Sequence, residues 1–188
     1  SLNRRFPTNN RMLRYDRLPY TLFTDTLFSG IKSKSGNKCA QSYGTSYGWC
    51  RVHPMVSKSQ AHETLSTLFH RDGVPPKMVI DGSKEQGLGQ FKKKCSEADC
   101  YLVSTEPYAP WMQVAEGVNK HYKQGSARKM LASGSPKRLW DHSVELEALV
   151  RSHTALDIYG LRGQVPETIL KGNTPDISFI CEFKWFQW

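Results

Sequence analysis

Apolar residues fall first in short alternating runs and later at helical spacing along this chain. Tyr20 to Asp25 (YTLFTD) reads as a strand, and Ser29 to Lys38, rich in Gly, Ser and Lys, as a hairpin turn. Cys39 to Tyr43 and Gly48 to Met55 alternate as two more strands, with Gly44 and Gly48 bracketing their turn. Ala61, Leu65, Leu68 and Phe69 share one helical face, so a helix capped by Ser57 or Ser59 is predicted to run to about His70. Pro75 and Pro76 follow its end. Lys77 to Ile80 (KMVI) reads as a short buried strand ending on Asp81. Gly82, Gly87 and Gly89 mark a loop, Gln90 to Ala98 a helix, and Cys100 to Thr105 (CYLVST) a fifth strand.

Pro107 to Met112 reads as a loop, and the stretch from Gln113 to Leu131, free of proline, as a long helix that Gly134 ends. Pro136 opens the next helix in its first turn. That helix runs to about His153, with Leu139, Trp140, Val144, Leu146, Leu149 and Val150 as core candidates. The last 30 residues, punctuated by Gly and Pro, yield no assignment. The order β-β-β-α-β-α-β-α-α predicts an α/β domain, a five-stranded mixed sheet whose first three strands are antiparallel, flanked by helices. Residues 1–19, basic and aperiodic, read as a linker or DNA-facing arm, 20–155 as the domain and 156–188 as its C-terminal extension.

Composition narrows the function classes. With 188 residues, 38% hydrophobic and 23% charged, the chain is a globular one, large enough for one core. No apolar run reaches the 18 residues of a membrane span, and the basic N-terminus has no signal-peptide core. A net charge of +9 and a pI near 9.4 point to a polyanionic partner, nucleic acid ahead of an anionic membrane. Five cysteines, an odd count with no CxxC pair, point to reduced, buried thiols in an intracellular protein and away from a zinc site. The chain starts without Met and stops in KWFQW, and reads as a piece of a longer polypeptide.

Within this basic chain three acids stand out: Asp25 at the end of the first strand, Asp81 at the end of the fourth, and Glu116 in the first turn of the long helix. Each alone is better read as a cap or a surface charge. Together they suit phosphoryl transfer, in which two divalent ions about 3.5–4 Å apart stabilise the attacking and leaving oxygens. Hard Mg²⁺ prefers such carboxylate oxygens. Asn119, Lys120 and Lys123 lie three, four and seven residues past Glu116, on its side of the helix, and Arg128, Lys129, Lys137 and Arg138 follow. Such cations could hold DNA phosphates beside the metals, or could simply be a solvated, salt-paired face.

Tyr108 to Lys123 (YAPWMQVAEGVNKHYK) resembles the integrase core of retroviruses and LTR retrotransposons, especially the copia type. In that family a Y-x-P segment precedes a helix reading E-x-x-N-K/R, which makes Glu116 the third catalytic acid. IDGSKEQ at 80–86 is similar to the family's S-D-N-G-x-E-F and nominates Asp81. LFTDTLF at 22–28 matches the first acidic strand and nominates Asp25. Thirty-four residues separate Asp81 from Glu116, close to the interval behind the family's D,D-35-E label. SPKRLWDHSVELEALVRSHTA at 135–155 and GNTPDIS at 172–178 resemble later family elements. The resemblance covers roughly residues 20–181. It departs where Gly82 replaces the usual Asn and where Trp111, Met112 and Gln113 occupy the loop before Glu116.

The resemblance implies a ribonuclease-H-like fold and two Mg²⁺ or Mn²⁺ ions, one held by Asp25 and Asp81 and the other by Asp25 and Glu116. It implies retroelement DNA ends and target DNA as partners, a homo-oligomer, no membrane, and work in the nucleus after synthesis as part of a polyprotein. Asn119, Lys120, Lys123, Arg128 and Lys129 are the expected DNA-binding residues. The expected reactions are hydrolytic 3′-end processing and strand transfer into target DNA. A decayed or domesticated copy that only binds DNA, and a ribonuclease-H-like nuclease that cuts without joining, are the alternatives. The family's N-terminal zinc module and C-terminal DNA-binding module are not expected within these residues.

Overall fold

The computed structural model describes residues 15–81, 88–105, 111–182 and 184–186. Most of the 1–19 arm, the Gly82–Gly87 loop and most of the Pro107–Met112 loop lie outside the described residues, as do the side chains of Asp81 and of residues 111–116, Glu116 among them.

Five strands form one mixed sheet: β1 (Leu22–Phe28), β2 (Cys39–Gly44), β3 (Cys50–Met55), β4 (Lys77–Asp81) and β5 (Tyr101–Thr105), in the order β3-β2-β1-β4-β5. β1, β2 and β3 are antiparallel neighbours, while β4 pairs with β1 and β5 in parallel. The expected α/β architecture, with three antiparallel strands leading, is therefore the observed one. Parallel pairing needs a crossover, which α1 (Ala61–Arg71) and α2 (Leu88–Glu97) provide.

Period-2 alternation sends the two faces of the sheet to different cores. On one face Leu22, Tyr43, Met78 and Ile80 pack with Leu65, Leu68 and Phe69 of α1 and Phe91 and Cys95 of α2. On the other, Leu27, Ala40, Cys50 and Val52 pack with Tyr122 of α3 (Trp111–Ser133) and Val144 and Ala148 of α4 (Trp140–His153). Gly44 lets α3 come close, since a Cβ there would sit 3.4 Å from both Val118 and the Trp49 carbonyl. A polar thread also runs through the sheet: Gln41 donates to Thr24 Oγ1, and Thr26 Oγ1 donates to Gln41 Oε1.

Several boundaries differ from the sequence reading, each for a local reason. Neither Ser57 nor Ser59 caps α1; their hydroxyls bond each other, a 3-10 turn covers Lys58–Gln60, and Gln60 takes the cap position. The long helix starts at Trp111, two residues before the expected Gln113. On α4 the buried face is Asp141, Ser143, Val144, Ala148 and Ser152, while Leu146, Leu149 and Val150 are only half-buried, as are Leu139 and Trp140 at its start. Small residues win there because α4 lies close against its neighbours. Ser152 Oγ accepts from Cys50 N and donates to Cys50 O, and Ser126 Oγ donates to Ser143 Oγ at 2.9 Å.

The last 30 residues, unassigned from the sequence, include α5 (Pro166–Lys171) and α6 (Ser178–Cys181). Buried Glu167 of α5 accepts from Trp49 Nε1 at 2.6 Å and from Arg51 Nη2 at 3.0 Å. Arg51 also pairs with Asp72 at the end of α1 (3.3 Å), and Lys171 pairs with both acids, at 2.7 and 3.1 Å. This closed network of two acids and two bases pins α5 to β3 and α1.

Candidate active site

Asp25 is not at the end of its strand, as expected, but is the fourth of seven residues in β1. That central position is the more constraining one. The β1–β4 register pairs Leu22 with Met78, Phe23 with Val79 and Thr24 with Ile80. The next step along both strands brings Asp25 and Asp81 to neighbouring positions, one strand spacing (about 4.8 Å) apart. Asp81 closes β4, where its backbone lies opposite Thr105 of β5.

Hydrogen bonds hold the Asp25 carboxylate. Its Oδ1 accepts from the Thr26 amide at 2.7 Å and its Oδ2 from Asn119 Nδ2 at 2.8 Å. Asn119 is buried (7% exposed), and its Oδ1 accepts from Ser42 Oγ at 2.9 Å. Ser42 is the cross-strand partner of Asp25, and its hydroxyl also reaches the Asp25 carbonyl at 3.0 Å. The triangle Asp25–Ser42–Asn119 thus ties β1 and β2 to α3. Glu116 lies on α3 three residues before Asn119, about one helical turn, or about 4.5 Å of rise. Asp25 therefore lies one strand spacing from Asp81 by register, and its carboxylate bonds the α3 residue one turn after Glu116.

The expected DNA-binding residues separate into two groups. Lys120, Lys123 and Arg128 are exposed on α3, with His121 among them. Burial first, and then the nearby charges of Arg151, Lys120 and Arg128, lower the His121 pKa. Asn119 points instead into the sheet, and Lys129 is half-buried with its ammonium 2.9 Å from Glu147 of α4. The buried stripe of α3 runs through Asn119, Tyr122 and Ser126. Two of these three are polar, so hydrophobic periodicity does not find them. The sequence signal for Asn119 is its place three residues past Glu116 in E-x-x-N, and only the structure shows that it meets Ser42 and Asp25.

No family model matches the chain, and no curated protein matches it. Solved structures do. The catalytic core domain of BIV integrase superposes with a TM-score of 0.61 at 14% identity, covering 80% of this chain and 93% of that one. The HTLV-2 integrase catalytic core domain in complex with magnesium, in its trimeric form, gives 0.60 at 16% identity, covering 81% and 97%. A chain of the simian T-cell lymphotropic virus intasome gives 0.64 at 15% identity, covering 87% of this chain and 60% of that one.

This chain has the ribonuclease-H-like fold of an integrase catalytic core. The integrase-core fold accounts for the 3+2 arrangement of the sheet, with the antiparallel hairpins on one side of β1 and the parallel crossovers on the other. It also accounts for the open edges at β3 and β5. Among the described residues no group of three or more His, Cys, Asp or Glu side chains gathers as a metal site, but two of the three acids have side chains outside that description. The donor chemistry of the set suits a hard divalent cation: all three are carboxylates, and Asp25 is already oriented by two hydrogen bonds.

Proposed function

We propose that this chain is the catalytic core of a retroelement integrase of the copia type, which processes DNA 3′ ends and joins them to target DNA. The observation that carries this reading is the Asn119–Asp25 hydrogen bond, which draws the α3 turn holding Glu116 up to the strand pair holding Asp25 and Asp81.

In this reading Asp25 and Asp81 would hold one Mg²⁺ or Mn²⁺ and Asp25 and Glu116 the other. Bound ions would supply activation of the attacking oxygen, water or a 3′-hydroxyl, and charge stabilisation at the leaving oxygen. The chain's own groups do the positioning. The Thr26 amide and Asn119 fix the rotation of the Asp25 carboxylate, so it does not reorganise as DNA binds. Lys120, Lys123 and Arg128 hold DNA phosphates on the exposed side of α3. Lys129 acts within the protein, binding α3 to α4 through Glu147.

The neighbours are a trimeric HTLV-2 core, a dimeric one and an intasome, and we extend assembly to this chain. Half-buried Leu146, Leu149 and Val150 on α4 and the exposed Leu131 on α3 (85%) supply the apolar surface for a homo-oligomer. Light scattering at working concentration should give at least a dimer; a monomer would count against this. The nucleus, where target DNA resides, is the proposed site of action.

The deciding experiment is a strand-transfer and disintegration assay with labelled DNA and Mg²⁺ or Mn²⁺, run on wild type and Asp81→Asn. Joined product that disappears in the variant supports the integrase reading. Cutting without joining supports a nuclease, and salt-sensitive binding with neither product supports a decayed copy.

A further inference from the structure

α2 ends in a Schellman motif. Asp99 takes the left-handed position at φ +53°, its amide donates to the Ser96 carbonyl at 3.1 Å, and the Cys100 amide donates to the Cys95 carbonyl at 2.8 Å. Asp is one of the few L-residues that adopts this backbone without a large cost. The motif characteristically presses together the side chains three positions inside the helix end and two positions beyond it, ordinarily an apolar pair. Here that pair is Cys95 and Cys100. Both are buried, at 0% and 4% exposure, and both line the same cavity. Both are free thiols. A cavity of about 670 Å³ reaches them, lined also by Lys92, Arg17, Ser96 and Tyr101.

We propose that Cys95 and Cys100 form a thiol–disulfide exchange site, which reacts with a low-molecular-weight disulfide through this cavity and closes to an intrachain disulfide. Cys100, the more open of the two, attacks first. Its thiolate displaces one half of the small disulfide as a thiolate, which takes up the proton that Cys100 gave away. Cys95 then loses its proton and attacks the Cys100 sulfur of the mixed disulfide, and the second half leaves as a thiol. Two protein thiols are oxidised by two electrons and one small disulfide is reduced to two thiols. The order follows from the site. The hydrogen bond with Cys100, and then burial, hold the Cys95 thiol above the ordinary cysteine range, so it is the slower nucleophile. Arg17 at the cavity wall is paired with Asp99 (3.8 Å), and Lys92 beside them leaves that wall with a net positive charge. The bond would join the last turn of α2 to the residue that leads into β5, where Tyr101 is in register with Lys77.

Oxidised glutathione is the probe. Exposed Cys181 is removed first as Cys181→Ser, leaving four cysteines, of which Cys39 and Cys50 are buried on β2 and β3. Native protein is incubated with the probe, and thiols are counted by intact mass and peptide mapping. The expected result is loss of two thiols, a Cys95–Cys100 linked peptide, full reversal by dithiothreitol, and closure about tenfold faster than in the urea-unfolded chain. Cys95→Ser, or Cys95→Ala where serine unfolds the protein, should stop at a stable glutathione adduct on Cys100. Retention of all four thiols, an adduct that never closes in the Cys181→Ser protein, or a link through Cys39 or Cys50 would overturn the assignment.

Discussion

Asn119 donates to the Asp25 carboxylate at 2.8 Å and accepts from Ser42, across a sequence separation of 94 residues from Asp25. A buried amide satisfied on both sides is a rigid positioning element. Its removal should affect the carboxylate more than the fold.

Asn119→Ala is expected to lower the joining rate about 10- to 100-fold, the usual effect of losing a residue that orients a metal ligand. The fall should be in kcat, with KM for DNA little changed, and stability should drop by about 1–3 kcal/mol for the unmet Ser42 and Asp25 partners. Joining kinetics beside urea unfolding separate the two effects. A loss confined to stability would remove Asn119 from the site.

Glu116→Gln preserves shape and removes charge. It should abolish joining and leave DNA affinity within about twofold at low salt. The Lys120→Ala, Lys123→Ala double variant should do the reverse, weakening binding and reducing the slope of log K against log salt by about 1.8. Titrations at several salt concentrations read both outcomes, and a salt-independent wild type would contradict a phosphate-binding α3.

Glu167 neutralises Arg51 in a place where water does so poorly. Glu167→Ala should cost about 3–5 kcal/mol, as expected for breaking a buried ion pair from one side. Denaturant unfolding measures it. A cost below about 1 kcal/mol would mean that Asp72 alone suffices to hold Arg51.

Acid should destabilise the fold in two stages. Burial, aided by Arg71 and Arg51 and opposed by Asp72, lowers His53 to about 4 from an ordinary 6.5. Between these values the unfolded chain binds the proton and the folded one does not. Stability is therefore complete above pH 6.5 and falls toward pH 4, by about 3 kcal/mol in all. Asp141 and Glu167 behave as depressed carboxylates. Burial acts to raise both, but hydrogen bonds from Ser33, Asn37 and the His142 amide outweigh it at Asp141, and Arg51 and Lys171 outweigh it at Glu167. Their contribution is present above their unfolded values near 4 and is lost as pH falls further. Urea midpoints against pH should show both limbs, and His53→Gln should erase only the upper one.

The sequence by itself determined the elements from β1 to α4 and their order. The strand-like runs YTLFTD and CYLVST, alternation in Cys39–Tyr43 and Gly48–Met55, helical spacing from Ala61 to Phe69, and stops at Pro75 and Gly134 are local signals, because strand and helix periods differ and Gly and Pro restrict the backbone wherever they sit. Ordered motifs also picked out three acids with no geometry at hand. The tertiary structure decided which residues meet. Asp25 gained its place from the β1–β4 register, which no local pattern encodes. Asn119 turned inward because Ser42 and Asp25 offered it partners on the sheet. The buried face of α4 went to Ser143, Ala148 and Ser152 in place of Leu146 and Leu149, since close packing rewards small side chains with hydrogen bonds to give. Arg51 and Glu167, 116 residues apart, found each other only once the chain had folded back on β3. Periodicity reports how one element divides water from core; pairing between elements depends on distances that exist only in the folded state.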